Sequence, residues 1–210
     1  MCHSEKIIEI TNSSSNKLKE KGSQFIGYAI NVYSIEEAQL KLSNLKKEYY
    51  DATHHCYAYK LIDGDEKYSD DGEPNGTAGI RILNAINHFN ITNIIVVIIR
   101  YFGGTKLGVG PLGKAYGETA FDVLTNAPKI ELTKFEKINI SFDYENVSTI
   151  HYFINKYNCQ KINNLYSNSP EIEFYIEPYL VNNFSEAIIN KTNGNAKIHK
   201  LGKQTYLRLQ

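Results

Sequence analysis

Two glycine-rich stretches hold most of the side chains able to do chemistry. The first runs Tyr68-Ser69-Asp70-Asp71-Gly72-Glu73-Pro74-Asn75-Gly76-Thr77-Ala78-Gly79. It sets three carboxylates among three glycines and the hydroxyls of Ser69 and Thr77. Asp70, Asp71 and Glu73 offer oxygen ligands to a hard cation, or acceptors to Arg and Lys donors. The spacing is not that of a calcium loop, and the closing Glu of such a loop is missing. No metal is therefore expected. The plainer alternative is a tight surface turn before a helix that Thr77 caps.

The second stretch runs Arg100-Tyr101-Phe102-Gly103-Gly104-Thr105-Lys106-Leu107-Gly108-Val109-Gly110-Pro111-Leu112-Gly113-Lys114. It passes from an apolar strand into a helix, a setting where free N–H groups and the helix dipole favour an anion. Arg100, Lys106 and Lys114 add formal positive charge, and Gly103, Gly104 and Gly108 free the backbone to approach a ligand. Gly108 to Lys114 fits the G-x-x-x-x-G-K stem of a phosphate loop. Ala115 follows where Ser or Thr would hold magnesium, and Pro111 removes one N–H. That excludes the standard nucleotide-hydrolysing loop and leaves a simpler phosphate or RNA-backbone contact. The alternative is a glycine-rich crossing where helix packs tightly on sheet.

Asp51-Ala52-Thr53-His54-His55-Cys56-Tyr57-Ala58-Tyr59 is a third candidate. Adjacent His54 and His55 point to opposite faces of a strand and do not share one metal easily. His54 and Cys56 share a face, so a nucleophile pair is conceivable, but a strand cysteine is more often packing. No catalytic residue is assigned. Tyr144, Tyr152, Tyr157, Tyr166, Tyr175 and Tyr179 could stack on single-stranded RNA or simply pack half-buried.

The elements that must position these groups follow from periodicity. Phe25 to Tyr33 predicts a strand. Ser34-x-x-Glu37 predicts a capping box, opening a helix to Glu48 with Ile35, Ala38, Leu42 and Leu45 on one face. A strand at Thr53–Leu61, a loop from Tyr68 to Gly79 and a short helix at Ile80–Phe89 come next. Ile94 to Tyr101 is apolar on both faces, as a central strand must be. A helix from Pro111 to Leu124 follows, with proline suited to its first position. Beyond it, the pattern predicts strand Phe135–Tyr144, helix Val147–Tyr157 and strands Cys159–Tyr166 and Glu171–Ile176 around a turn at Asn168-Ser169-Pro170. Helix Pro178–Asn190 and a last strand at Ala196–Arg208 complete the ferredoxin-like order βαββαβ.

The totals exclude some classes. The 210 residues allow one large or two small domains. Lys plus Arg and Asp plus Glu both number 23, so no global basic field exists and nucleic-acid contact would need a local patch. Cys2, Cys56 and Cys159 give neither a disulfide framework nor a CxxC metal pattern. No apolar signal core opens the chain, and Ile94–Ile99 is too short to cross a bilayer. A cytoplasmic location without membrane partners is expected.

Four strings together carry a resemblance. Lys21-Gly22-Ser23-Gln24-Phe25, the ATHHCYAY stretch at Ala52–Tyr59, SDDGEPNGTAG at Ser69–Gly79 and RYFGGTKLGVG at Arg100–Gly110 are similar to motifs of the IMPACT/YigZ family, and Ala115-Tyr116 continues the match. The resemblance covers roughly residues 15–125 in detail, and the C-terminal module is similar to the family's second domain. It implies an α+β protein. Its N-terminal α/β sandwich would resemble the second domain of a small-subunit ribosomal protein. Its C-terminal ferredoxin-like βαββαβ domain would resemble the fifth domain of elongation factor G. The expected boundaries are 1–126 and 134–210, with a linker at 127–133.

A translation-associated binding protein is implied, with ribosome or RNA as partner and no cofactor. Eukaryotic members are linked to regulation of translation through a stress kinase pathway, but that role uses a further domain and is not transferred. The chain departs from the usual pattern at Ile80-Arg81, Pro111 and Gly113. Two other readings stay open: an enzyme or binder of a small phosphorylated or nucleotide ligand at the same loops, and a protein-interaction module.

Overall fold

A computed structural model describes residues 4–166 and 169–209. Residues 7–131 form one compact unit; residues 1–6 and 132–210 form another. Among the described residues, no helix is long and apolar enough to cross a membrane.

The elements begin with β1 (Lys6–Ile10), β2 (Ser14–Glu20), β3 (Ser23–Asn31), α1 (Ile35–Glu48), β4 (His54–Lys60) and β5 (Glu66–Ser69). α2 (Gly79–His88), β6 (Ile94–Tyr101) and α3 (Val109–Asn126) follow. The first unit's antiparallel sheet has the order β2-β3-β6-β4-β5. β6 is central, as its unbroken apolar run predicts. Its Ile94, Val96 and Ile98 enter a core with α2 and α3, whereas Ile95, Val97 and Ile99 enter a second core with α1. The two-residue period of a strand thus divides one apolar run between two helical layers, giving an α/β/α sandwich.

On the α2/α3 face of the sheet, β3 and β4 contribute the small residues Ala29 and Ala58 beside larger ones such as Phe25. Gly27 sits there as well, where a Cβ would stand 3.0 Å from the Thr119 methyl. Small side chains bring α3 close to the strands. On the opposite face Ala38 and Leu45 are buried, and Ile35 and Leu42 pack beside them, the predicted stripe. Ser34 Oγ accepts the Glu37 N–H at 3.2 Å. The return bond of the box shifts by one residue: Glu37 accepts the Tyr33 N–H at 2.9 Å.

The second unit is built from β7 (Lys129–Ser141), α4 (Val147–Lys156), β8 (Gln160–Tyr166), β9 (Pro170–Ile176), α5 (Val181–Lys191) and β10 (Lys197–Leu207). Its antiparallel strands are ordered β10-β7-β9-β8, the ferredoxin-like arrangement. Ile138, Ile140, Ile172, Phe174 and Ile176 meet Ile150, Phe153, Ile154, Phe184 and Ile188 of the helices.

Several expectations need correction. The 127–133 linker is strand from Lys129 onward. β2 and β5 were not predicted, because their polar sequences at sheet edges show little apolar alternation; β1, with the sequence KIIEI, was not predicted either, although it is rich in isoleucine. Tyr68 and Ser69 belong to β5 rather than to a loop. Pro111 is the third residue of α3, still within the turn whose N–H groups need no helical partner. Of the turn expected at Asn168-Ser169-Pro170, Asn168 lies outside the described residues, as do Cys2 and the Tyr166 side chain.

Candidate functional site

The acidic stretch is organised by its own backbone. Asp70 Oδ1 accepts N–H bonds from Ala78 and Gly79 at 2.9 and 2.8 Å, and Oδ2 accepts from Gly76 at 2.9 Å. This carboxylate therefore caps α2 from eight and nine residues upstream. Thr77 is not the cap. Its hydroxyl donates to the Pro74 carbonyl at 2.6 Å. Gly79 is required because a Cβ there would stand 2.8 Å from the Ser69 backbone.

Asp71 accepts the His55 N–H at 2.7 Å and Lys46 Nζ at 3.0 Å. Its carbonyl accepts from His54 Nδ1 at 2.8 Å. His54 and His55 do face opposite ways: the His55 ring donates to the Tyr49 carbonyl at 3.0 Å. Burial lowers the His55 pKa.

Glu73 turns inward. Its Oε1 accepts Arg100 Nη1 at 2.6 Å and the Tyr116 hydroxyl at 2.7 Å. The acidic and glycine-rich loops therefore meet through a buried ion pair, with side chains only 4% and 6% exposed. Arg100 Nη2 donates to Ser23 Oγ at 3.3 Å, and the same oxygen accepts the Gly103 N–H at 3.1 Å. The guanidinium also lies over Phe25 and Phe102. Its buried Nε has no protein partner. The three carboxylates thus serve three separate sets of donors. Among the described residues no three His, Cys, Asp or Glu side chains converge as a metal would require.

Cys56 belongs to this interior. Its thiol donates to the Asp70 carbonyl at 3.0 Å and lies 3.3 Å from the Tyr116 hydroxyl. Burial pushes its pKa up to about 12, so it stays a thiol, and His54 is turned to Asp71 instead of to it. Burial likewise raises the Tyr116 pKa.

Beside the ion pair lies a cleft of about 340 Å³, lined by Glu73, Arg100, Phe102, Lys106, Gly108 and Val109 among others. Gly108 precedes α3 with φ 83°, and no side chain caps this helix end. The N–H groups of Val109 and Gly110 therefore have no helical acceptor, and they carry the positive end of the helix dipole. Of the predicted ligand residues, Arg100, Lys106, Gly108 and Glu73 come together here.

The others do not. Gly103 serves packing: a Cβ there would stand 1.9 Å from the Gly22 carbonyl carbon. Gly104 holds φ 83° in open space. Asp70, Asp71 and Thr77 are occupied in the turn described above. Lys114 lines a different groove, between α2 and α3, and pairs with Glu118 at 3.6 Å. Ser23 and Tyr116 complete the Arg100–Glu73 network, a role no local signal announced.

In the second unit Tyr144 and Tyr152 are well exposed, at 73% and 60%. Tyr157 packs between Phe153 and Phe184.

Comparison with known proteins agrees with these motifs. The Impact N-terminal domain matches residues 21–124. IMPACT family member YvyE of Bacillus subtilis (strain 168) is 35% identical over 187 residues, covering 88% of this chain and 86% of that protein. IMPACT family member YigZ of Escherichia coli (strain K12) is 29% identical over 185 residues, covering 85% and 89%. A crystal structure of a hypothetical protein superposes with a TM-score of 0.65 at 25% identity, over 95% of this chain and 98% of that one. The chain belongs to the IMPACT family.

Proposed function

We propose that this protein is a translation-associated binding protein that receives an RNA phosphate, as presented on the ribosome, in the cleft at the start of α3. The observation that carries this reading is the uncapped α3 N-terminus opening on a cleft that Lys106 and Arg100 line. Glu73 neutralises Arg100, so the net attraction comes from Lys106 and the helix end, while the fixed guanidinium shapes the wall. The protonated, inward-bonded Cys56 supports binding over nucleophilic chemistry at these loops.

The test is co-sedimentation with ribosomes and their separate subunits at low and physiological salt. Lys106→Ala and Val109→Glu are the variants; the second sets a carboxylate where the phosphate would sit, on a side chain already 66% exposed. Pelleting should weaken in both, and Lys106→Ala should reduce the salt slope by about 1. Failure of the folded protein to pellet with any particle would overturn the reading. The cleft volume of about 340 Å³ also suits a small phosphorylated ligand, which a melting-temperature shift with nucleotides and magnesium would reveal.

A further inference from the structure

The groove between α2 and α3 is separate from the Arg100 cleft and larger, at about 480 Å³. That lies within the range of about 300–1,000 Å³ usual for small-ligand sites. Its wall on α2 carries Arg81, Asn84 and His88; its wall on α3 carries Lys114 and Phe121. We infer that this groove is a nucleotide-binding site, taking a phosphate at Arg81 and Lys114 and a base against Phe121.

Charge is the first argument. Arg81 is exposed, and its side chain makes no hydrogen bond or ion pair among the described residues. Its guanidinium lies beside the bare backbone of α3, with Nε 3.5 Å from where a Cβ on Gly113 would stand. Lys114 stands one position farther along α3, and its acid partner Glu118 is 3.6 Å away and itself half exposed. An exposed pair of this kind holds its lysine weakly, so Lys114 is free to turn to a phosphate. The groove lining contains no carboxylate. An anion is therefore favoured, and the planar guanidinium can bind a phosphate through two parallel bonds.

Aromatic surface is the second argument, and it selects among anions. Phe121 is 42% exposed. Its ring is fixed by Phe89 at 4.9 Å and His88 at 5.2 Å between centroids. A fixed aromatic face open to solvent is the platform on which a base stacks. Asn84 adds both a donor and an acceptor, which can pair with a base edge. Inorganic phosphate would use the cations alone, and an aliphatic acidic side chain would leave the ring unmatched. Gly110 and Gly117 leave the floor open, with no atom within 4 Å of where their Cβ atoms would stand.

The inference does not rest on the phosphate reading of the α3 N-terminus, and its test separates the two. Titrate the full chain calorimetrically with adenosine 5′-monophosphate, adenosine, inorganic phosphate and a short oligoadenylate. Repeat with Arg81→Glu, Gly117→Leu and, as the control for the other cleft, Lys106→Ala. Gly117→Leu projects a side chain into the groove from a helical position where the added Cβ meets no neighbour.

The monophosphate or the oligoadenylate should bind saturably and more tightly than phosphate or adenosine. Arg81→Glu and Gly117→Leu should each weaken binding by about tenfold, the scale of one lost stacking or charge contact. Lys106, which lines the other cleft, reports on that site alone, so the binding lost in Arg81→Glu and Gly117→Leu should persist in Lys106→Ala. An oligoadenylate that binds more tightly than the monophosphate identifies an RNA strand as the source; equal affinity identifies a free nucleotide. Absence of saturable binding, affinity no better than that of inorganic phosphate, or indifference to Gly117→Leu would each overturn the inference.

Discussion

Replacing Glu73 with Ala should destabilise the first unit more than the loss of most surface residues could. The Arg100 partner is 6% exposed and cannot recover water when the carboxylate leaves. Breaking a buried ion pair by removing one partner costs about 3–5 kcal/mol. The Tyr116 hydroxyl would lose its acceptor as well, which costs about 1–3 kcal/mol. Because the two losses share one oxygen they do not add fully, and about 4 kcal/mol is the working figure. That is a large part of the roughly 5–15 kcal/mol that holds a domain together.

Glu73→Gln keeps an acceptor but removes the charge, so its cost should fall between zero and that of Glu73→Ala. The double variant Glu73→Leu with Arg100→Met removes both charges and should recover part of the loss, since apolar replacement of a buried pair is often tolerated. Urea unfolding of all four proteins, compared at constant m-value, gives these differences directly. A cost for Glu73→Ala below about 1 kcal/mol would refute the reasoning, because the pair would then be solvated in solution. A double variant no more stable than Glu73→Ala would show that Arg100 is not the group left stranded.

Asp70→Ala removes the acceptor for three backbone N–H groups at the start of α2 and should lower stability by about 2 kcal/mol, read by thermal or urea unfolding. Gly103→Ala and Gly117→Ala should act in opposite directions. The first places a Cβ 1.9 Å from backbone and should cost more than about 3 kcal/mol. The second meets nothing within 4 Å and should gain up to about 1 kcal/mol from helix propensity. Cys56 and Cys159, both raised to about 12 from an ordinary 9, should resist alkylation in the native protein and react on unfolding. The folded thiols hold their protons where the unfolded ones lose them, so this contribution to stability is present below pH 9 and falls between about 9 and 12.

How much of this was legible in the sequence depended on whether the signal was local. β6 announced itself, because the six consecutive apolar residues Ile94 to Ile99 suit a strand in a sheet covered on both faces. The Ser34 cap and the order of the second unit were equally local. β2 was not: its SSNKLKE has one large apolar residue, and only pairing with β3 makes it a strand. The Glu73–Arg100 pair joins residues 27 apart, and the Gly103–Ser23 bond joins residues 80 apart. Nothing in either loop names its partner. Lys114 was grouped with Lys106 by proximity in sequence, yet the helical period argues against that grouping. Leu112 is buried and lines the Arg100 cleft, and two further residues at about 100° each turn Lys114 well away from it.

The rare residues that made the loops look like a ligand site are largely consumed by the fold. Asp70 is committed to α2, Asp71 to β4 and Lys46, Glu73 to Arg100, and Gly22, Gly79 and Gly103 to close backbone crossings. A polar group already satisfied within the protein has less to offer a ligand, since binding must first break its existing bond. What stays available is a shorter set: the α3 N–H groups, Lys106, and across the helix Arg81 and Lys114. These are the positions at which a substitution can change binding without first unfolding the loop. Variants of the more prominent residues would report mainly on stability.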